Sequence, residues 1–67
     1  MSDLILTPNI ERSDDFYAEL LAVHEGKTKE ESDALNARLI LILANHIGSR
    51  AVLSDALQAA SSEAVSG

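Results

Sequence analysis

Residues 29–47 form the segment that most constrains how this chain can fold. Thr28 and Glu31 have the spacing of a capping box, in which each side chain bonds the other residue's backbone N–H at a helix start. Gly48 is the kind of residue that commonly follows a helix end. Apolar residues cover most of the helix between them: Ala34, Leu35, Ala37, Leu39, Ile40, Leu41, Ile42, Leu43, Ala44 and Ile47. A helix that is apolar nearly all round is normally buried on several sides, so we expect it to be the central element.

Two shorter helices are predicted on either side of this segment. The first runs from about residue 14 to 25, with Ser13 or Asp14 as its expected cap and Gly26 as the left-handed residue after its end. The second runs from about residue 50 to 60, with Ser49 as its expected cap. The residues that recur at helical spacing are Phe16, Tyr17, Leu20, Leu21 and His24 in the first helix, and Val52, Leu53, Ala56, Leu57 and Ala60 in the second.

Short connections between these helices predict an all-α fold, a small antiparallel three-helix bundle. One domain is expected over residues 1–67, with an ordered core of about 8–60 in which Phe16 and Tyr17 are the only large rings.

Both ends of the chain are expected to lie outside the bundle. Pro8 interrupts the apolar residues that precede the first helix, so residues 1–12 are predicted to form an extended arm, with a frayed terminus as the alternative. The small and polar residues from Ser61 onward are predicted to form a disordered tail.

The composition argues against several classes of function. The chain has 67 residues, no Cys, and 5 Lys and Arg against 11 Asp and Glu, for a formal net charge of −6. Without Cys, no disulfide framework, thiolate zinc site or cysteine nucleophile is possible. The acidic balance argues against nucleic acid and anionic lipid as partners. The apolar run 39–43 is far shorter than the roughly 20 residues of a membrane-spanning helix, and no signal peptide is recognisable, so a cytoplasmic protein is expected.

The sequence has no motif for catalysis or cofactor binding, and we expect no enzyme activity, no cofactor and no metal. The glycines stand far apart, so there is no glycine-rich phosphate loop, and there is no Gly-x-Ser-x-Gly elbow. His24 and His46 belong to no ligand-spaced motif, and a satisfied polar contact near a helix end is the expected role of each. The last two helices superficially resemble a helix-turn-helix, but Arg50 is the only basic residue in the last third of the chain, which argues against DNA.

Arg38 is the most informative polar residue, because its helical neighbours three and four positions away are all apolar. It either reaches water, pairs with a carboxylate from another helix, or binds an external anion. The candidate carboxylates are Asp15, Glu19 and Asp55. Glu31, Arg38 and Asn45 trace one polar line, which is either the solvent side of the helix or polar registry inside an oligomer interface. Asn36 lies roughly opposite Arg38 on the helix and is expected to be exposed, with a hydrogen bond to a neighbouring helix as the alternative.

Four segments together resemble a known family: Asp15-Phe16-Tyr17, Leu20-Leu21, Leu35-Asn36-Ala37-Arg38-Leu39 and Leu43-Ala44-Asn45-His46-Ile47-Gly48. Over roughly residues 8–60 the chain is similar to short bacterial proteins, mostly proteobacterial, that are catalogued only as a domain of unknown function. The resemblance implies a small stand-alone protein whose signature lies on the central helix, and it implies no activity. It favours a specific contact for the polar residues of that signature.

The expected function is protein–protein interaction through the central helix, either as a homodimer or as an accessory module on a larger protein. A single core in so short a chain rarely supplies more than about 3–5 kcal/mol, and two short helices cannot cover a helix that is apolar on most sides. The alternative is a small-ligand or anion-binding protein that uses Arg38, Asn45 and His46. The candidate contact residues are Arg38, Ile40, Leu41, Asn45 and His46.

Overall fold

The computed structural model describes residues 3–62, most of which lie in three α-helices. Their bounds are Ser13–His24 for α1, Lys29–Ile47 for α2 and Arg50–Ser61 for α3. The helices predicted from the sequence are confirmed to within one residue at each end, and with them the all-α class. The antiparallel course of the helices stays a prediction. The predicted disordered tail falls outside the described residues, except for Ser61, which ends α3, and Ser62, which follows it.

Helix α2 begins and ends where the local sequence signals predict. The Glu31 backbone N–H donates to the Thr28 hydroxyl at 3.2 Å, and the Thr28 backbone N–H donates to the Glu31 carboxylate at 2.9 Å. This is the predicted capping box, and it satisfies two N–H groups that have no partner within the helix. At the other end Gly48 has φ 75° and its N–H donates to the Ala44 carbonyl at 2.9 Å.

Only two residues separate α2 from α3, and both have a defined role. Gly48 takes the left-handed conformation that turns the chain away from α2, which is a conformation that glycine adopts without steric cost. Ser49 then caps α3, because its hydroxyl accepts a hydrogen bond of 3.2 Å from the Val52 backbone N–H. The predicted cap of α3 is confirmed, and the tight connection holds the two helices next to each other.

The start of α1 differs from the prediction that Ser13 or Asp14 caps it. Arg12 is the residue before the helix, with φ 48° and ψ 57°, and no side chain caps the N-terminus. Ser13 and Asp14 are already helical, whereas a capping residue needs an extended backbone, so neither can fill that role. Asp14 and Asp15 still lie in the first turn, where negative charge suits the helix dipole. Gly26 has φ 77° after the helix end, as predicted.

The segment before α1 forms neither helix nor strand from residue 3 to residue 10, in agreement with the predicted arm. The chain bends at Thr7 and Pro8. Leu4 is half-buried, whereas the other apolar residues of the arm are exposed: Ile5, Leu6 and Ile10. The arm therefore covers little of the apolar surface of the helices.

Residues 3–62 contain no buried side chain, so the predicted closed core is not present in the single chain. Phe16 and Tyr17, expected as core rings, are 41% and 60% exposed. The Cα radius of gyration is 13.5 Å, against about 11 Å for a compact domain of this length. The prediction of Phe16 and Tyr17 as core residues is wrong for the monomer, because α1 and α3 touch α2 along limited stretches and do not enclose it.

Candidate association surface on the second helix

The packing of α2 against the other helices involves a minority of its residues. Within residues 29–47 four side chains are half-buried and the rest are exposed: Ser32, Leu35, Leu39 and Ala44 are the half-buried set. At about 100° per residue, the first three lie within roughly 60° of one another around the helix. This is the side of α2 that α1 approaches.

A hydrogen-bond clasp joins the end of α1 to α2. His24 Nδ1 lies 2.8 Å from Ser32 Oγ, and His24 Nε2 lies 3.0 Å from Asn36 Oδ1. The amide oxygen is an acceptor, so Nε2–H donates to Asn36, and Nδ1 of the neutral ring then accepts from the Ser32 hydroxyl. The predicted polar contact of His24 is thus confirmed. Asn36 forms the bond to a neighbouring helix that the sequence left as an alternative, and it remains exposed.

The part played by Ser32 in this clasp was missed from the sequence. Ser32 precedes Asn36 by four residues, so both project from the same side of α2. That spacing was the available signal, but it does not reveal that a residue of another helix lies between them.

An open groove runs beside the clasp between α1 and α2. It has a volume of about 230 Å³ and is lined by Val23, Leu35, Arg38, Leu39 and Ile42. This is smaller than the roughly 300–1,000 Å³ of typical ligand pockets. Arg38 is the only one of the three predicted anion-binding residues on its lining, since neither Asn45 nor His46 reaches it.

Arg38 has no ion pair or side-chain hydrogen bond within residues 3–62. The sequence named three candidate carboxylates for it, and none of them pairs with it: Asp15, Glu19 and Asp55. The ion pair that the described part of the chain does contain joins Lys29 and Asp33 at 2.8 Å on the exposed start of α2. The side chains of Asn45 and His46 likewise form no hydrogen bond within residues 3–62, so the polar contact expected for His46 is not found there.

The largest apolar exposure on α2 lies in its middle. Ile40, Leu41 and Ile42 are 63%, 70% and 64% exposed. Ile42 was not among the candidate contact residues, although its spacing of four from Arg38 places it on the same side of the helix. We call the four residues Arg38, Leu41, Ile42 and Asn45 the open face of α2.

The five candidate contact residues do not share one side of the helix. Arg38, Leu41 and Asn45 lie within about 60° of one another, whereas Ile40 lies roughly 150° from the centre of that face. His46 lies nearer the side that α1 approaches. A single partner helix therefore covers either the open face or Ile40, but not both.

Residues 3–62 contain neither a metal-ligand cluster nor a helix that could span a membrane. No group of three or more His, Cys, Asp or Glu side chains there is arranged to hold a metal ion. None of the described helices is both long enough and apolar enough to cross a bilayer.

The fold and its exposed surface define a small all-α module with an uncovered apolar helix. The family described as "Protein of unknown function (DUF2783)" matches residues 4–62, and the chain belongs to this family. The resemblance deduced from the sequence is thereby confirmed. No match was found among curated proteins or among solved structures.

Proposed function

We propose that this protein is a non-catalytic interaction module that covers the apolar surface of α2 with another protein chain, by self-association or on a larger partner. The observation that carries the proposal is that residues 3–62 have no buried side chain, while three consecutive large apolar residues in the middle of α2 are more than half exposed. These side chains leave apolar surface exposed on more than one side of α2, and exposed apolar surface of this kind commonly marks an interaction site.

The energetics favour association over an isolated chain. Burying a side chain of the size of Leu or Ile contributes about 1.5–3 kcal/mol. Because Ile40, Leu41 and Ile42 are mostly exposed, most of this free energy is gained only when another chain covers them. A domain of this size has only about 3–5 kcal/mol from its own core, so covering these residues would change its stability by a comparable amount. Folding and partner binding are then parts of one equilibrium.

A non-catalytic role agrees with the polar groups of the chain. The clasp uses both ring nitrogens of His24, and the capping box uses Thr28 and Glu31. The groove between α1 and α2 is apolar apart from Arg38 and is small for a substrate. No pair of nucleophile and base was recognised in the sequence.

The test compares two variants of neighbouring residues, Leu41→Asp and Ile40→Asp, with the wild type by analytical ultracentrifugation. We expect at least one of them to abolish assembly, because a carboxylate in an apolar contact must lose its hydration. Gln58→Asp is the matched control, since it adds the same charge at an exposed position of α3. Circular dichroism establishes that the helices persist.

The same variants test docking on a different protein. Affinity-purified wild type and variants are compared by mass spectrometry, and a true partner is recovered with wild type and Gln58→Asp but lost with the α2 variants. If Leu41→Asp and Ile40→Asp both retain the wild-type mass and the wild-type partner, α2 is not an interaction surface and the proposal is wrong.

A second candidate function is binding of a small carboxylate or other anion at Arg38. The observation in its favour is that the guanidinium is unpaired within residues 3–62 and borders an apolar groove. A guanidinium fork suits a carboxylate or phosphate. Titration with phosphate and with short-chain carboxylates should shift the Arg38 side-chain and Leu35 methyl NMR signals in wild type, and the Leu35 shift should be absent in Arg38→Gln. Absence of any shift removes this candidate.

A further inference from the structure

We propose that the open face of α2 is covered by a second copy of this chain, in an antiparallel pair of α2 helices in which Arg38 of each chain donates hydrogen bonds to the partner's Asn45. The inference rests on the proposed function, because it names the occupant of the surface assigned there. It is carried by the exposed area of the chain, the arrangement of the open face, the spacing of its two polar residues and the distribution of charge along α2.

The exposed area of the chain is larger than that of a compact monomer of the same mass. The chain exposes 6022 Å². A compact monomer of 7.2 kDa exposes about 4,100 Å², so the excess is about 1,900 Å² per chain. A contact between two α2 helices would bury part of this excess, and another part belongs to the exposed arm before α1.

The open face is accessible to a second helix. Arg38, Leu41 and Asn45 follow the spacing of three and four that forms a seam between two helices. Of the half-buried residues of α2, Leu35 lies about 70° from the centre of the open face, Leu39 and Ala44 lie about 110° from it, and Ser32 lies about 130° from it. Arg38 and Ile42 also line the groove against Val23 of α1, so a second α2 would approach over Leu41 and Asn45, which do not line that groove.

The spacing of the polar residues selects one register. When two α2 helices run antiparallel about a two-fold axis level with the midpoint of Leu41 and Ile42, Arg38 is level with the partner's Asn45. Each contact occurs twice, and Leu41 is level with the partner's Ile42. The guanidinium only donates and the Asn45 Oδ1 accepts, so the pair is complementary. A register centred on Arg38 would instead oppose two like charges. A polar residue in an apolar seam commonly fixes the register in this way.

The charges along α2 favour the antiparallel orientation. Acidic residues occupy its first turns, and residues 34–47 contain no Asp or Glu. In the proposed pair the two acidic starts lie at opposite ends, about 35 Å apart along the axis, which is several times the screening length of about 8 Å. A parallel pair would bring the two acidic starts together in a chain that already carries a net charge of −6.

Two single-cysteine variants test the orientation, since the chain has no native Cys. Leu41→Cys should form a disulfide-linked dimer under mild oxidation, because the two copies lie beside the axis. Ala34→Cys lies on the same side of α2 but should remain unlinked, because its two copies are about 22 Å apart in this register. A parallel pair would link both variants.

A charge exchange tests the register. Arg38→Glu alone and Asn45→Arg alone should each weaken dimerisation about tenfold or more, because each leaves an unmatched or repelling group in the seam. The double variant Arg38→Glu/Asn45→Arg should restore dimerisation to within a few-fold of wild type. The two positions are seven residues apart, too far to pair on one helix. Arg50→Glu on α3 is the control for the change in net charge and should leave the dimer unchanged.

Three outcomes overturn the inference and separate it from the proposed function. A monomeric mass at several hundred micromolar removes the second copy and leaves docking on another protein to be decided by Leu41→Asp. A dimer that links through Ala34→Cys, or that the double variant does not restore, refutes this pairing while the proposed function stands. A dimer disrupted by Ile40→Asp and not by Leu41→Asp places the interface on the opposite side of α2.

Discussion

His24 Nε2 lies 3.0 Å from Asn36 Oδ1, a hydrogen bond between residues twelve apart that ties the last turn of α1 to the second turn of α2. With the 2.8 Å contact from Nδ1 to Ser32 Oγ, it engages both nitrogens of the ring. The groove beside the clasp is mostly apolar, with Val23 of α1 facing Leu35, Leu39 and Ile42 of α2. Because apolar contacts are not directional, the clasp sets the position of α1 relative to α2.

Removing the clasp should loosen α1. His24→Ala should lower the free energy of unfolding by about 1 kcal/mol, since a hydrogen bond contributes roughly 0.5–1.5 kcal/mol and two are lost from a partly exposed site. Urea denaturation measures this change. Hydrogen exchange should show faster exchange of α1 amides, while those of α3 change less.

His46→Ala is the matched control, because His46 has no side-chain hydrogen bond within residues 3–62 and is exposed. It should change the free energy of unfolding by less than about 0.5 kcal/mol. Equal losses in the two histidine variants would contradict a structural role for the clasp. A cycle with Ser32→Ala should give a non-additive coupling, as expected for residues in direct contact.

The capping box at the start of α2 gives a second prediction. Thr28→Ala removes the hydroxyl that accepts from the Glu31 N–H and should lower the free energy of unfolding by about 1 kcal/mol. Thr28→Ser keeps the hydroxyl and should recover most of that loss. Thermal denaturation followed by circular dichroism compares the three proteins. A Thr28→Ser protein as unstable as Thr28→Ala would show that the methyl group, and not the cap, is responsible.

The features that the sequence predicted correctly are those set by residues three or four apart. The capping box at Thr28, the cap at Ser49 and the left-handed Gly48 depend on local backbone geometry alone. The apolar residues on nearly every side of α2 also indicated that this helix has more apolar surface than its neighbours cover. These features do not depend on how the helices pack.

The features that were missed depend on the relative placement of helices or on an unusual backbone. The contact of His24 with Ser32 exists only at one crossing geometry of α1 and α2. Which sides of α2 stay exposed depends on which side the half-buried residues take, and that is set by the packing of the helices. Arg12 adopts a left-handed backbone, which its residue type does not signal.

The left-handed Arg12 gives a third prediction. A non-glycine residue in this conformation costs about 1–2 kcal/mol, and Asn tolerates it better than Arg. Arg12→Asn should therefore raise the free energy of unfolding by about 0.5–1 kcal/mol, measured by urea denaturation. Glu11→Asn is the control, since residue 11 has no positive φ, and it should leave stability nearly unchanged. A gain in Glu11→Asn as large as that in Arg12→Asn would mean that strain at Arg12 is not relieved.

Thermal stability should depend on protein concentration if two chains complete one core. Unfolding of a dimer releases two chains, so mass action raises the melting temperature as the chain concentration rises. With an unfolding enthalpy of about 0.7 kcal/mol per residue for two chains of this length, a tenfold increase should raise the melting temperature by about 5 °C. Scanning calorimetry at chain concentrations from about 20 µM to about 2 mM, which covers roughly two tenfold increases, measures the effect. Leu41→Asp should melt lower and independently of concentration, whereas Gln58→Asp should follow the wild type. A wild-type melting temperature that stays constant over this range would mean that each chain unfolds alone, and that self-association contributes nothing to the stability of the fold.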